Sequence, residues 1–287
     1  MKQLARFLIP VALLQNSVWG AVHYVDVHGA NVPPYTNWAN AAVIIQDAVD
    51  AAGDSDEIWV GDGWYSSGGR LVGGVSNRVA VTKALKIQSV SGPEFTTIEG
   101  VQSQVATNRM RCVYLTNGAV LSGFTLTNGS IPSGSAGGVL GQSTAASVSN
   151  CVIVGNYYGG AATVSLVSCT ILANQAANRG GGAQDCVLTD CTLSGNSSFQ
   201  AGGAAGCLLS GCRLSGNSAT WDGGGALGGT LYDCVLDGNS AQSTNPPPQA
   251  VFVTVQTNIP GLAGTTTLTD ANFITANPAW YRVGVQQ

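Results

Sequence analysis

The feature that most constrains this chain is an internal repeat of nearly fixed pitch. Gly-Gly-Ala recurs with its alanine at Ala161, Ala183, Ala204 and Ala226, spacings of 22, 21 and 22 residues. Counted from each alanine, the fifth residue is Leu166, Leu188, Leu209 and Leu231, and the eighth is Cys169, Cys191, Cys212 and Cys234. The tenth is Ile171, Leu193, Leu214 and Leu236, and the thirteenth is Asn174, Asn196, Asn217 and Asn239. Self-similarity at such a period is the signature of a solenoid. Within a unit, positions three and five, then eight and ten, lie two apart, the period of a strand. The step of three between five and eight breaks that alternation as a tight bend would, and the asparagine, preceded by glycine or alanine, marks a second bend. Three short strands and three bends per circuit predict a parallel β-helix.

Solenoids built on helices need helical apolar spacing in each unit, and these Gly-, Ser- and Thr-dense units have none. A left-handed hexapeptide helix would impose a period of six. The expected fold class is therefore all-β, a right-handed parallel β-helix solenoid. Stacked circuits place equivalent residues about 4.8 Å apart, so the Leu, Cys and Asn columns become ladders, with the asparagine amides bonding to one another and to turn carbonyls. Looser rungs are expected at Glu57 to Val60, Val79 to Val81, Leu85 to Ile87, Cys112 to Leu115, Leu121 to Leu126, Val139 and Cys151 to Asn156. Before them, Ala41, Ile44, Ile45, Ala48, Val49 and Ala52 fall at helical spacing. An amphipathic helix over 37–52 is predicted to cap the open end of the stack. The proline run Pro246 to Pro248 ends the repeat, and Val251 to Val255, Thr265 to Leu268 and Trp280 to Val285 read as C-terminal strands.

At the N-terminus a basic start, Lys2 and Arg6, precedes the apolar run Phe7 to Leu14, with small residues Val18 and Gly20 before the next segment. That layout is a signal peptide over 1–20, and the apolar run is too short for a membrane span of about 20 residues. The expected organisation is a leader over 1–20, an N-terminal cap with its helix over 21–56, the β-helix over 57–241, and a linker with strands over 242–287. Secretion or display at the cell surface follows, with no transmembrane segment in the mature chain. Of 287 residues 45% are hydrophobic and only 9% charged, with a net charge of -4. No basic stripe is available to neutralise phosphates, which excludes nucleic acid as a partner.

The segments Tyr24-Val25-Asp26, Asn37-Trp38, Ile45-Gln46-Asp47-Ala48 and Gly63-Trp64-Tyr65, with Thr97-Ile98-Glu99-Gly100 and Leu121-Ser122-Gly123-Phe124-Thr125-Leu126, resemble secreted bacterial right-handed β-helix proteins of the pectin-lyase-like superfamily. Gly-Gly-Ala followed by Leu-x-Gly-Asn is similar to the repeats of polymorphic outer-membrane adhesins. Those adhesins carry phenylalanine where Leu193 or Leu214 stands and end in a membrane barrel, for which no length remains here. The resemblance implies the fold; activity has to be argued from a site.

Three sets of residues are candidates. Eight cysteines in an exported chain invite disulfides, but stacked side chains sit nearly a strand spacing apart, beyond disulfide reach, which favours packed free thiols. Zinc is not expected, since no Cys-x-x-Cys pair exists and His23 and His28 lie far from the ladder. A charged cluster of Asp190, Asp233, Asp237 and Arg213 falls, by alternation, on the solvent side of one strand face. The outer carboxylates would stand about 9 to 10 Å apart, at the long edge of an inverting pair of acids, and Arg213 would hold a uronate. The same residues could bind a cation, and the favoured reading is a solvated ion-pair patch that keeps a flat sheet soluble. Finally, Tyr157, Tyr158, Phe199 and Trp221 follow the asparagine ladder and align along one edge, as glycan-stacking rings or as hydrophobic cover for the bend. Trp38, Trp64 and Tyr65 are assigned to cap packing.

Between Ile131 and Ala250 the only basic residues are Arg179 and Arg213, and there is no Lys, His or Glu, thin provision for a β-elimination. The leading expectation is a non-catalytic β-helix presenting its faces to polysaccharide or to a surface protein. The alternatives are a polysaccharide lyase or glycoside hydrolase of the pectin-lyase-like type, and a structural component of an envelope or matrix. No cofactor is expected; calcium would enter only with a lyase.

Overall fold

The computed structural model describes residues 20–242 and 254–256, and shows a parallel β-helix. All but the last residue of the leader predicted over 1–20, the proline stop and the two last predicted strands lie outside the described residues. In register, Leu166 pairs with Leu188, Leu188 with Leu209 and Leu209 with Leu231. All four side chains are fully buried.

Three sheets run along the axis. The long sheet stacks Val22–Val25, Glu57–Val60, Lys86–Ser89, Val120–Ser122, Ser147–Ser149, Ser165–Val167 and Val187–Thr189. Beside it, Val75–Val81, Arg111–Leu115, Val139–Gly141, Ala161–Ala162 and Ala183–Gln184 form a second column, and Ala204–Ser210 and Ala226–Tyr232 span both columns. The second sheet stacks Gly63–Tyr65, Thr96–Glu99, Thr125–Thr127, Val152–Val154, Thr170–Leu172, Thr192–Ser194, Arg213–Ser215 and Val235–Asp237. A short third sheet holds Ser197–Ser198, Ser218–Ala219 and Ser240–Ala241. Thr254–Gln256 pairs with Thr230–Tyr232 as the start of one more rung.

The bends explain the repeat letter by letter. Left-handed backbone recurs every five residues: Thr163, Ser168 and Ala173 in one circuit, then Asp185, Asp190 and Gly195, then Gly206, Gly211 and Gly216. Each such residue turns the chain, and the residue after it points inward again. Those inward corner positions are the cysteine and asparagine columns. The Asn196 side chain donates to Ile171 O and Asn217 Oδ1, each at 2.9 Å, and accepts from the N–H and amide of Asn174 at 3.0 Å. The same pattern runs from Asn156 to Asn239.

Cysteine does a smaller version of the same work. Each thiol donates to the carbonyl two residues back, across the left-handed turn: Cys169 to Val167, Cys191 to Thr189, Cys212 to Ser210 and Cys234 to Tyr232, at 3.1–3.4 Å. The N–H of Cys169 also points at the sulfur of Cys191, 3.5 Å away. All eight cysteines are free, and seven are buried. Burial pushes the Cys112 thiol up to about 12 and raises that of Cys151, so these two sulfurs act as small apolar groups with one weak donor. We expect Cys191→Ala to lower stability by about 1 to 2 kcal/mol through the void at the corner and the lost thiol donor to Thr189 O, which keeps the Ser168 N–H, read as a fall in the urea midpoint at constant m-value. Alkylating reagents should leave Cys191 unmodified until the protein unfolds.

The cap departs from expectation in extent. Only Ile45–Ala51 is α-helical; Trp38–Asn40 is a single 3-10 turn capped by the Asn37 side chain, and Ala42 makes a parallel bridge to Val25. Pairing with the first strand claims the residues between the two helical pieces. The first rung, Val22–Val25, precedes the helix in sequence and pairs with Glu57–Val60, so the stack starts inside the segment assigned to the cap. The helix closes the exposed edge chemically. Gln46 Oε1 accepts from Ala80 N at 2.7 Å and Gln46 Nε2 donates to Ala80 O at 3.3 Å, mimicking a neighbouring strand. Lys83 Nζ donates to Val49 O, Asp50 O and Ala52 O at the helix C-terminus, where a cation is favoured.

Candidate functional site

The third face is concave. Its outward column, Gln175, Ser197, Ser218 and Ser240, is held in strict register by strand pairing, which sets polar groups at the strand spacing of about 4.8 Å. A second outward line, Ala177, Phe199, Thr220 and Gln242, walls one side. Gln175, Ser197 and Ser218 with Phe199, Thr220 and Gln242 enclose a trough of about 300 Å³. Phe199, 46% exposed, stacks on Trp221 of the next circuit with centroids 5.8 Å apart and planes at 27°. The loops carrying them are themselves paired, Trp221 N donating to Phe199 O at 2.8 Å.

Across Ala176 and Ala177 the trough meets a second cavity, of about 280 Å³, lined by Gly134, Ser135, Tyr158, Asn178, Arg179 and Gln184. This notch arises from unequal loop lengths. Four residues carry the chain from Asn156 to Gly160, whereas eight separate Asn174 from Gly182 and nine separate Gly129 from Gly138. A short circuit is thus recessed between two longer ones, and its Tyr158 becomes the floor. Tyr158 adopts left-handed backbone, φ 68°, a conformation that costs a non-glycine residue about 1 to 2 kcal/mol. Its hydroxyl accepts from Arg109 Nη1 at 3.2 Å, and the Arg109 guanidinium lies 5.5 Å from the ring centroid.

Charge at the notch is positive. Arg109 donates to Ser103 O and Ile131 O. Arg111, buried beneath the loop, donates to Ala136 O, Asn77 Oδ1 and Ser135 O. Neither faces a carboxylate within ion-pair distance among the described residues. Burial pushes the Arg111 guanidinium down to about 10, still charged at neutral pH. Arg179 stands exposed at the rim. One carboxylate lies close, Asp185, which accepts from the Gln184 amide at 3.1 Å.

The charged cluster is arranged differently from the sequence reading. Asp190 and Asp233 occupy left-handed bends, φ 52° and 49°, between the long and second sheets. Because the bend resets the alternation, they do not share a strand face with Arg213 and Asp237. The Asp190 carboxylate lies over Gly211, the residue between it and Asp233 in the column; a Cβ there would sit 2.3 Å from Asp190 Oδ1. Arg213 and Asp237 are on the outer face of the second sheet, joined by a 3.0 Å ion pair, both about half exposed. Among the described residues no three His, Cys, Asp or Glu side chains gather as a metal site would require.

The four predicted rings fall into two pairs. Tyr157 and Tyr158 meet edge to face at 4.9 Å, and Phe199 and Trp221 stack; Tyr158 lines the notch and Phe199 the trough. Tyr65 is buried, as cap packing requires, but Trp64 is 59% exposed and Trp38, packed on Tyr24, is 42% exposed. Arg109 and Arg111 were invisible as site residues, because they come from a circuit before the regular repeat begins.

No family model matches the sequence, and no curated protein does. Among solved structures the chain is similar to "Crystal structure of pectate lyase Pel9A", at 13% identity and a TM-score of 0.48, over 93% of this chain and 90% of that one. Among the described residues no helix is long and apolar enough to cross a membrane.

Proposed function

We propose that this is an extracellular, non-catalytic glycan-binding β-helix whose binding site is the trough on the third face, with an acidic sugar unit seated at the notch beside Arg179. One observation carries the reading: a register-locked row of hydroxyl and amide groups lies beside a stacked aromatic pair in a concavity large enough for a sugar ring. Gln175, Ser197 and Ser218 supply hydrogen bonds at a regular interval. Phe199, backed by Trp221, supplies an apolar wall for the C–H face of a pyranose. Among the described residues no carboxylate or histidine lines either cavity; Asp190 and Asp233 lie at the far corner and Asp237 is paired with Arg213 on the second sheet.

The test is affinity electrophoresis and calorimetry of the secreted protein against polyuronates and neutral glycans, with product release measured in parallel. Phe199→Ala should weaken polyuronate binding about fivefold, the equivalent of about 1 kcal/mol for one stacked ring, without changing the melting temperature by more than a few degrees. Turnover of a polyuronate that disappears in Asp233→Ala would replace this reading by the enzymatic one.

A further inference from the structure

The second sheet begins with an aromatic platform that the trough does not use. Trp64 is more exposed than any other tryptophan or phenylalanine among the described residues, and Phe95, at 56%, comes next. The indole is held in place: its Nε1–H donates to Glu99 Oε2 at 2.8 Å, and Asn128 Nδ2 donates to the other oxygen, Glu99 Oε1, at 3.1 Å. Strand pairing fixes the layout, with Trp64 beside Thr97, Thr97 beside Thr125, and Glu99 beside Thr127. Phe95 precedes the strand Thr96–Glu99 and, by alternation, shares its outward face with Thr97 and Glu99. An indole whose single polar atom is already bonded offers only its π face to whatever lands there.

We infer that Trp64, Phe95, Glu99 and Asn128 form a second binding site, for a neutral glycan of hexopyranose units whose substituents are equatorial. Such a ring carries axial C–H bonds on both faces, which lie flat on an indole. Its hydroxyls project in the ring plane, where the Glu99 carboxylate accepts from them and the Asn128 amide offers its carbonyl. The exposed charge around the platform selects against acidic chains, the cation beside it, Arg78, being buried and bonded to Glu99 O and Gly68 O. Glu99 and the neighbouring exposed Asp62 and Glu94 are in no ion pair among the described residues, so a uronate or sulfate is repelled while a neutral chain is not. The platform lies on a different sheet from the trough and its charge is opposite to that of the notch; the inference is independent of the trough reading.

Calorimetric titration of the full chain with a soluble β-1,4-linked glucan hexamer tests it, with polygalacturonate as competitor. The parent protein binds the hexamer, Trp64→Ala weakens it at least tenfold, and Trp64→Tyr, which keeps a ring, retains more than Trp64→Ala does. Phe199→Ala leaves hexamer affinity unchanged, and polygalacturonate does not displace the hexamer. Because Trp64 is exposed, an unaltered circular dichroism spectrum and melting temperature are expected for both Trp64 variants. The inference is overturned if the parent fails to bind the hexamer, if Trp64→Ala binds as the parent does, or if Phe199→Ala abolishes binding, which would move the hexamer into the trough.

Discussion

Asn196→Ala is expected to destabilise the protein by about 2 to 4 kcal/mol. The magnitude follows from what the truncation strands. Asn196 Oδ1 receives two donors from Asn174, and Asn196 Nδ2 serves Ile171 O and Asn217 Oδ1. Asn196 is fully buried, as are its ladder neighbours, so water does not reach the groups left behind. Asn174 Nδ2 keeps Ile153 O and Asn217 Oδ1 keeps the Asn196 N–H, but the Asn174 N–H loses its acceptor; a buried group so orphaned costs about 1 to 3 kcal/mol, and the alanine also leaves a void. Chemical denaturation followed by circular dichroism should show a lowered midpoint. Asn178→Ala, at an exposed position one loop away, should shift it by less than about 0.5 kcal/mol. A small effect at Asn196 would mean that the ladder relaxes or hydrates, and that the corners do not hold the stack.

Gly203→Ala should cost about 3 kcal/mol or more and raise the tendency to aggregate. The backbone of Gly203 needs no positive φ; the constraint is proximity. A Cβ at Gly203 would lie 2.3 Å from Gly225 O, and one at Gly182 would lie 2.6 Å from Gly203 O. The obstacle in each case is the main chain of the next circuit, which cannot swing aside as a side chain could. Overpacking of this kind usually costs about 1 to 3 kcal/mol, and here it pries apart two rungs that share several backbone bonds. Gly195→Ala is the informative partner. Gly195 has φ 60° but nothing within 4 Å of its Cβ position, and the equivalent residue one circuit earlier is Ala173, with φ 52°. Its cost should stay near 1 kcal/mol. Thermal unfolding of the two variants therefore separates crowding from backbone preference.

These two columns were also the most legible part of the sequence. Stacking like on like demands the same residue at each corner, so Leu188, Cys191 and Asn196 announced their positions through repetition. The acidic cluster was misplaced for a related reason. Alternation along a strand was carried through Asp190 and Asp233, but a left-handed residue restarts the alternation, and aspartate is one of the few side chains that tolerates that backbone. The helix is shorter than its spacing predicts because Ala41, which fits the helical pattern, is held just beside Ala42, whose bridge to Val25 keeps the chain extended there. Trp64 was assigned to the cap by its position before the repeat; nothing in a lone Gly-Trp-Tyr shows which of two neighbouring aromatics faces out. The notch was out of reach altogether. It depends on a deletion after Asn156, on the loop through Ser135, and on arginines from an earlier circuit, and no one-dimensional pattern joins those three segments.

The recessed circuit that floors the notch has a consequence for how such a molecule changes over time. Each rung touches only the rungs above and below it, so a duplicated or lost circuit shifts the fold by one step without disturbing the remainder. Lengthening on the C-terminal side would extend the trough like a ruler, one sugar-contacting row per copy, while the notch stayed put as its zero mark. Selection for longer or shorter ligands would then act on copy number, and selection for the group at the ligand's end would act on a single loop.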